Sequence, residues 1–169
     1  MLRLLKFLLL STLVLSGCRF NNKEKTAEPI KIEGLLPKIQ LVDLDNKIVR
    51  LDEYKGKTIF INFWATWCKP CIEEMPSIEK AQSIMKSKEI VFLLASSEGI
   101  DEIKEFSKNH SYQFRYVHLE NGETLNLQAL PTTFIINPMG NLVFSEMGSR
   151  NWGESDNINL IKKITQQHD

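Results

Sequence analysis

The feature that most limits the fold is a junction. Thr58-Ile59-Phe60-Ile61-Asn62-Phe63 is a near-continuous apolar run rich in β-branched and aromatic residues, and it ends five residues before Cys68. Such a run suits a central strand covered on both faces. From about Cys68 to Ser87 the pattern becomes helical, with Ile72, Met75, Ile78, Ala81, Ile84 and Met85 at three- and four-residue spacings. The strand therefore delivers Trp67-Cys68-Lys69-Pro70-Cys71 to a helix N-terminus. There the unpaired N–H groups and the positive end of the macrodipole favour thiolate over thiol, which makes Cys68 the candidate nucleophile. Cys71 lies one turn into the same helix, close enough to attack a mixed disulfide on Cys68, and is the candidate resolving thiol. Pro70 is tolerated in the first turn, where no donor is missed, whereas Pro76 is expected to kink the helix.

Two other readings of the cysteine pair are open. A structural disulfide across so short a loop would stabilise less than one closing a long loop. A zinc site needs two more ligands, and His110, His118 and His168 show no paired spacing. Redox exchange is the reading the pair favours over both, and no metal or cofactor is expected. Lys69 is either a solvated helix-start residue or a charge that favours the Cys68 thiolate. Pro70 is expected to tune the redox potential through backbone geometry. The 21 basic residues balance 21 acidic ones, so no basic field exists to recruit nucleic acid.

The chain's first residues form a targeting pattern. Arg3 and Lys6 accompany an apolar run from Phe7 to Leu15, and small Ser16 and Gly17 lead to Cys18. A plain secretory signal or a short anchor would share this pattern, but a spanning helix needs about 20 apolar residues. Residues 18–37 are polar, contain Pro29 and Pro37, and read as a tether. The expected organisation is a signal over 1–17, the tether over 18–37 and one folded domain over 38–169.

Beyond the tether, Ile39–Asp43 and Lys47–Leu51 flank Asp45-Asn46 and predict a β-hairpin. Ile90–Ala95 predicts a second buried strand, and Ile100–Asn109 a second helix with Ile103 and Phe106 inward. A third short strand around Phe114–Leu119 and a helical turn near Glu123–Leu127 follow. Thr132–Ile136 and Leu142–Glu146 surround Asn137-Pro138-Met139-Gly140-Asn141, a hairpin signal, and Asp156 to about Gln166 closes the chain as a helix. This order predicts an α/β fold: a central mixed β-sheet with helices on both faces plus an N-terminal β-hairpin.

Asn62-Phe63-Trp64-Ala65-Thr66-Trp67-Cys68-Lys69-Pro70-Cys71, then Glu74 and Pro76, then Leu130-Pro131-Thr132-Thr133-Phe134-Ile135-Ile136-Asn137-Pro138 resemble the membrane-tethered thioredoxin-like reductases of the TlpA/ResA type. The likeness covers about Ile39 to Trp152 and implies a thioredoxin-like fold. It implies that Pro131 is a cis-proline facing the cysteines and exposing the Leu130 backbone to an extended substrate. It further implies that Trp67 borders the site and Trp64 packs beneath it. Leu15-Ser16-Gly17-Cys18 resembles the bacterial lipoprotein signal, which implies cleavage before Cys18 and a lipid on its thiol. Lipidation there would leave one cysteine pair outside the cytoplasm, where disulfides persist.

Two departures from cytoplasmic thioredoxins bear on the chemistry. Asn62 stands where those proteins carry a buried acid, and Glu74 offers a replacement for managing the proton. Asn126 occupies a position where relatives often have glycine, and asparagine tolerates a left-handed backbone. The resemblance implies an envelope thiol-disulfide oxidoreductase, anchored in a bacterial membrane and facing the extracytoplasmic side. It would reduce protein disulfides, in cytochrome c maturation or envelope thiol homeostasis. A membrane electron donor of the DsbD/CcdA kind would supply it, and a monomer is expected. The rivals are a thiol peroxidase of the peroxiredoxin type and a non-catalytic copper- or partner-binding lipoprotein.

Overall fold

The computed structural model describes residues 38–86 and 89–167. They form one seven-stranded mixed sheet with three α-helices. In chain order the elements are β1 (Leu41–Asp43), β2 (Ile48–Val49), β3 (Thr58–Phe63), α1 (Lys69–Ile84), β4 (Ile90–Ser96), α2 (Ile100–Asn109), β5 (Arg115–Leu119), β6 (Thr132–Ile136), β7 (Leu142–Met147) and α3 (Ser155–Thr165). Short 3-10 turns cover Leu51–Tyr54 and Gly122–Leu125. The strands lie in the order β2-β1-β5-β4-β3-β6-β7.

All six residues of β3 are buried, as a strand flanked and covered on every side requires. It pairs in parallel with β4, Phe63 opposite Ala95, and antiparallel with β6, Phe63 opposite Thr132. These two registers build the site. They bring the segment after β3, the segment after β4 and the segment before β6 to one end of the sheet, where parallel strands commonly hold their chemistry.

The steps from β3 to β4 and from β4 to β5 run in the same direction across the sheet, so right-handed crossovers put α1 and α2 on one face. Phe60, Phe92, Leu94, Tyr116 and Ile135 point to that face and share a core with Met75 and Ile78 of α1, Ile103 and Phe106 of α2, and Ile158, Ile161 and Ile164 of α3. The opposite face, with Ile59, Ile61, Phe63, Leu93, Val117 and Phe134, is covered by Leu51 and Tyr54, Leu125, Leu127 and Leu130. The expected cover on both faces is thus divided unequally, α-helices on one side and 3-10 turns with loops on the other.

The N-terminal hairpin is present, with β1 antiparallel to β2 and Asn46 in a left-handed conformation at φ 63°. Helix α1 runs through Pro76 without interruption. Its buried stripe is Cys71, Glu74, Met75, Ile78 and Ala81, continued by Met85. Ile84, expected inward, is 46% exposed because this stripe leaves it on the flank. Ser87 and His168 lie outside the described residues, as do Cys18, the signal and the tether.

Candidate active site

Cys68 is the N-cap of α1 and carries the last non-helical backbone before it, φ −84° and ψ 92°. Its carbonyl accepts from the N–H groups of Cys71 at 3.0 Å and Ile72 at 3.2 Å, which starts the helix. The Cys68 and Cys71 sulfurs are bonded to each other, with the two Cα atoms 5.3 Å apart. Both residues are buried, Cys71 completely. Trp67, just before the pair, is 74% exposed, while Trp64 is buried with its ring 4.6 Å from Phe106 and 5.6 Å from Tyr116. Lys69 faces solvent and meets Glu73 at 3.7 Å, an exposed contact worth little. Pro70 occupies the first turn of α1 and is exposed.

Glu74 is buried, unlike its neighbour Glu73. Its Oε1 accepts from the Trp152 indole N–H at 2.6 Å and the Arg150 backbone N–H at 3.0 Å, and its Oε2 accepts from Asn62 Nδ2 at 3.2 Å. Burial pushes the carboxyl pKa above 4.5, and the donors from Arg150, Trp152 and Asn62 work against that rise. The Ser77 hydroxyl ties the same two elements together, donating to the Glu74 carbonyl at 2.8 Å and accepting from the Trp152 N–H at 3.0 Å. The Arg150 guanidinium lies over the Trp152 ring, 5.5 Å from its centre, and grips Glu146 with two hydrogen bonds of 2.8 and 2.6 Å.

The Leu130–Pro131 bond is cis. The β3–β6 register sets Pro131 beside the end of β3, and its carbonyl accepts from Gly148 N–H at 2.8 Å. Leu130 packs against the core that contains both cysteines and, with Phe63, Trp64 and Leu127, lines a cleft of about 210 Å³. Asn126 adopts the left-handed conformation, φ 50° and ψ 44°.

Sequence reasoning passed over Glu98, in the segment after β4. Its carboxylate accepts from the Thr66 N–H and the Thr66 hydroxyl, each at 2.6 Å, and from the Ser96 hydroxyl at 3.1 Å. Thr66 stands two residues before Cys68, so Glu98 holds the loop that carries it. The signal available was position: Glu98 follows a strand parallel to β3, at the same end of the sheet. Nothing local marked Trp152 or the backbone N–H of Arg150, both of which reach Glu74 from far along the chain.

A buried dithiol pair at a helix N-terminus, beside a buried carboxylate, can exchange disulfides and hold a proton. The sequence profile of the AhpC/TSA family matches residues 32–145. The chain belongs to the AhpC/TSA family. Within it, the thiol-disulfide oxidoreductase ResA of Bacillus cereus is 30% identical over 169 residues, spanning 95% of this chain and 96% of that protein. Among solved structures, a putative thiol-disulfide oxidoreductase from Bacteroides vulgatus superposes with a TM-score of 0.65 at 26% identity, over 74% of this chain and 90% of that one. The pneumococcal exposed lipoprotein thioredoxin of Streptococcus pneumoniae does so with a TM-score of 0.60 at 27% identity, over 73% and 97%. This AhpC/TSA member is a thiol-disulfide oxidoreductase with a thioredoxin-like fold.

Proposed function

We propose that the protein reduces disulfides of other proteins outside the cytoplasm, and the observation that carries this is the buried Cys68–Cys71 pair opening α1. In the reduced state Cys68 thiolate attacks one sulfur of a substrate disulfide, forming a mixed disulfide and releasing the other substrate sulfur, which takes up a proton. Cys71 then loses its proton to Glu74 and attacks Cys68 Sγ. The Cys68–Cys71 bond reforms, and the second substrate thiol leaves as it is protonated. The two electrons return from a dithiol donor, for which the DsbD/CcdA kind of membrane carrier is our reading.

Trp67, Leu130 and Pro131 are assigned to substrate contact, and Lys69 and Pro70 to setting the redox potential. Glu74 borders a surface groove with Lys80 and Arg150, which offers its proton a way to solvent. A lipid on Cys18 would hold the domain at the membrane; the name of the pneumococcal relative supports this reading. Among the described residues no helix is long and apolar enough to cross a membrane. Cytochrome c maturation or envelope thiol homeostasis is the process we assign.

Trapping tests the function. Cys71→Ser should leave mixed disulfides on Cys68 that can be isolated from the native envelope and identified, and wild-type protein should reduce insulin with dithiothreitol as electron source. Absence of both adducts and insulin reduction would sink the reading. Cys18→Ser should release the protein from membranes; retention with Met1 still at the N-terminus would refute the anchor alone.

A further inference from the structure

Breaking the Cys68–Cys71 bond creates a hydrogen-bond donor where the oxidised protein has none. Cys71 is completely buried, so its S–H must meet an acceptor inside the protein or stay unsatisfied. One buried acceptor close by is idle. Asn62 is fully buried, and strand alternation places it on the face of β3 that meets α1. Its Nδ2 donates to Glu74 Oε2 at 3.2 Å and to Thr133 Oγ1 at 3.0 Å, while Oδ1 has no partner among the described residues.

The neighbours decide which way this amide points. With Glu74 ionised, the opposite orientation would set Oδ1 against a carboxylate oxygen, acceptor facing acceptor. Oδ1 is therefore turned away from Glu74. Cys71 and Glu74 stand one turn apart on the buried stripe of α1, so an amide bonded to Glu74 lies under the turn that carries Cys71.

We infer that in the reduced protein Asn62 Oδ1 accepts a hydrogen bond from the Cys71 thiol, making Asn62 a positioning residue for the resolving cysteine. This rests on the thiol-disulfide reading of the pair. A dithiol donor gives two electrons and two protons and becomes a disulfide; the Cys68–Cys71 bond breaks, one proton stays on Cys71 Sγ, aimed at Oδ1, and the other goes to Cys68 Sγ, from which it passes to solvent when that thiol ionises. An amide holds no extra proton, so Asn62 orients the S–H without removing it. When Cys71 attacks the mixed disulfide, that proton goes to Glu74, which the nitrogen of the same amide holds.

The test uses the full chain with Cys18→Ser and Cys68→Ser, leaving Cys71 as the only thiol. Its S–H stretching band in the infrared should lie at lower wavenumber than in the same chain carrying Asn62→Leu; identical bands overturn the inference. A second measurement leaves position 62 intact, in case Asn62→Leu does not fold. The side-chain amide resonances of Asn62 should shift when wild-type protein is reduced with dithiothreitol and stay in place when Cys71→Ala is treated likewise. An unmoved wild-type amide overturns the inference. Insulin reduction by wild-type protein separates the two levels: if it proceeds while band and amide are unresponsive, the function stands and the role of Asn62 falls.

Discussion

The Trp152 indole donates to Glu74 Oε1 across 2.6 Å, joining the segment before α3 to the turn of α1 that follows the cysteines. Trp152→Phe keeps the ring and removes this donor, leaving one carboxylate oxygen with only the Arg150 N–H. The expected loss of stability is about 1–3 kcal/mol at neutral pH, the range for depriving a buried charged acceptor. Urea unfolding should show it, and the loss should shrink at acidic pH, where Glu74 is neutral. An equal loss at both pH values would assign the effect to packing.

Folding raises the Glu74 pKa above 4.5, so over a window above that value the folded chain keeps a proton that the unfolded chain has released. The contribution of this group is therefore fully present below 4.5 and is lost as pH rises through the higher folded value. Glu74→Gln should flatten that part of the stability curve and slow insulin reduction, because a neutral amide cannot take the Cys71 proton. Glu73→Gln, on the exposed flank, is the control and should change neither. If the two variants behave alike, Glu74 takes no part in the proton step.

Glu98 and Thr66 share two hydrogen bonds of 2.6 Å, and the loop they fix ends at Cys68. Glu98→Ala should lower the insulin reduction rate on the order of tenfold, equivalent to about 1.4 kcal/mol of barrier. Combined with Thr66→Val, the losses should fall short of additive, since either change already breaks the shared hydroxyl bond. Additive losses would show that the two residues act separately.

Cys71 is sealed on the buried face of α1, whereas Cys68 caps its N-terminus next to exposed Trp67. Timed alkylation of the reduced protein at mildly acidic pH should label Cys68 first. Equal labelling, or Cys71 first, would reverse the assigned roles.

Much of this fold was readable in the chain. The sequence ranges of β3, α2 and β6 coincide with the observed Thr58–Phe63, Ile100–Asn109 and Thr132–Ile136, because each is a strong periodic or apolar run closed by turn residues. The face of α1 is harder to read: its stripe includes Glu74, a charge that a hydrophobic pattern skips, and leaves out Ile84, which that pattern includes. The cysteine pair declared itself through spacing. Glu74 and Pro131 are marked by the family resemblance, but Glu98 and Trp152 are not, since Glu98 meets Thr66 only through the β3–β4 register, and Trp152 meets Glu74 only once β6, β7 and the segment after them have returned to α1. Local patterns carry no information about such long-range meetings.

The attachment of Arg150 and Trp152 to Glu74 also sets an order of events in biosynthesis. A ribosome makes the cysteine helix long before it makes residue 152, so the growing chain for a time carries Glu74 with Asn62 as its only available partner of the three. Burying the carboxylate at that stage would strand most of its charge. The full donor set of Glu74 is therefore complete only once residue 152 has been made, and the seat of the reactive helix depends on the C-terminal segment.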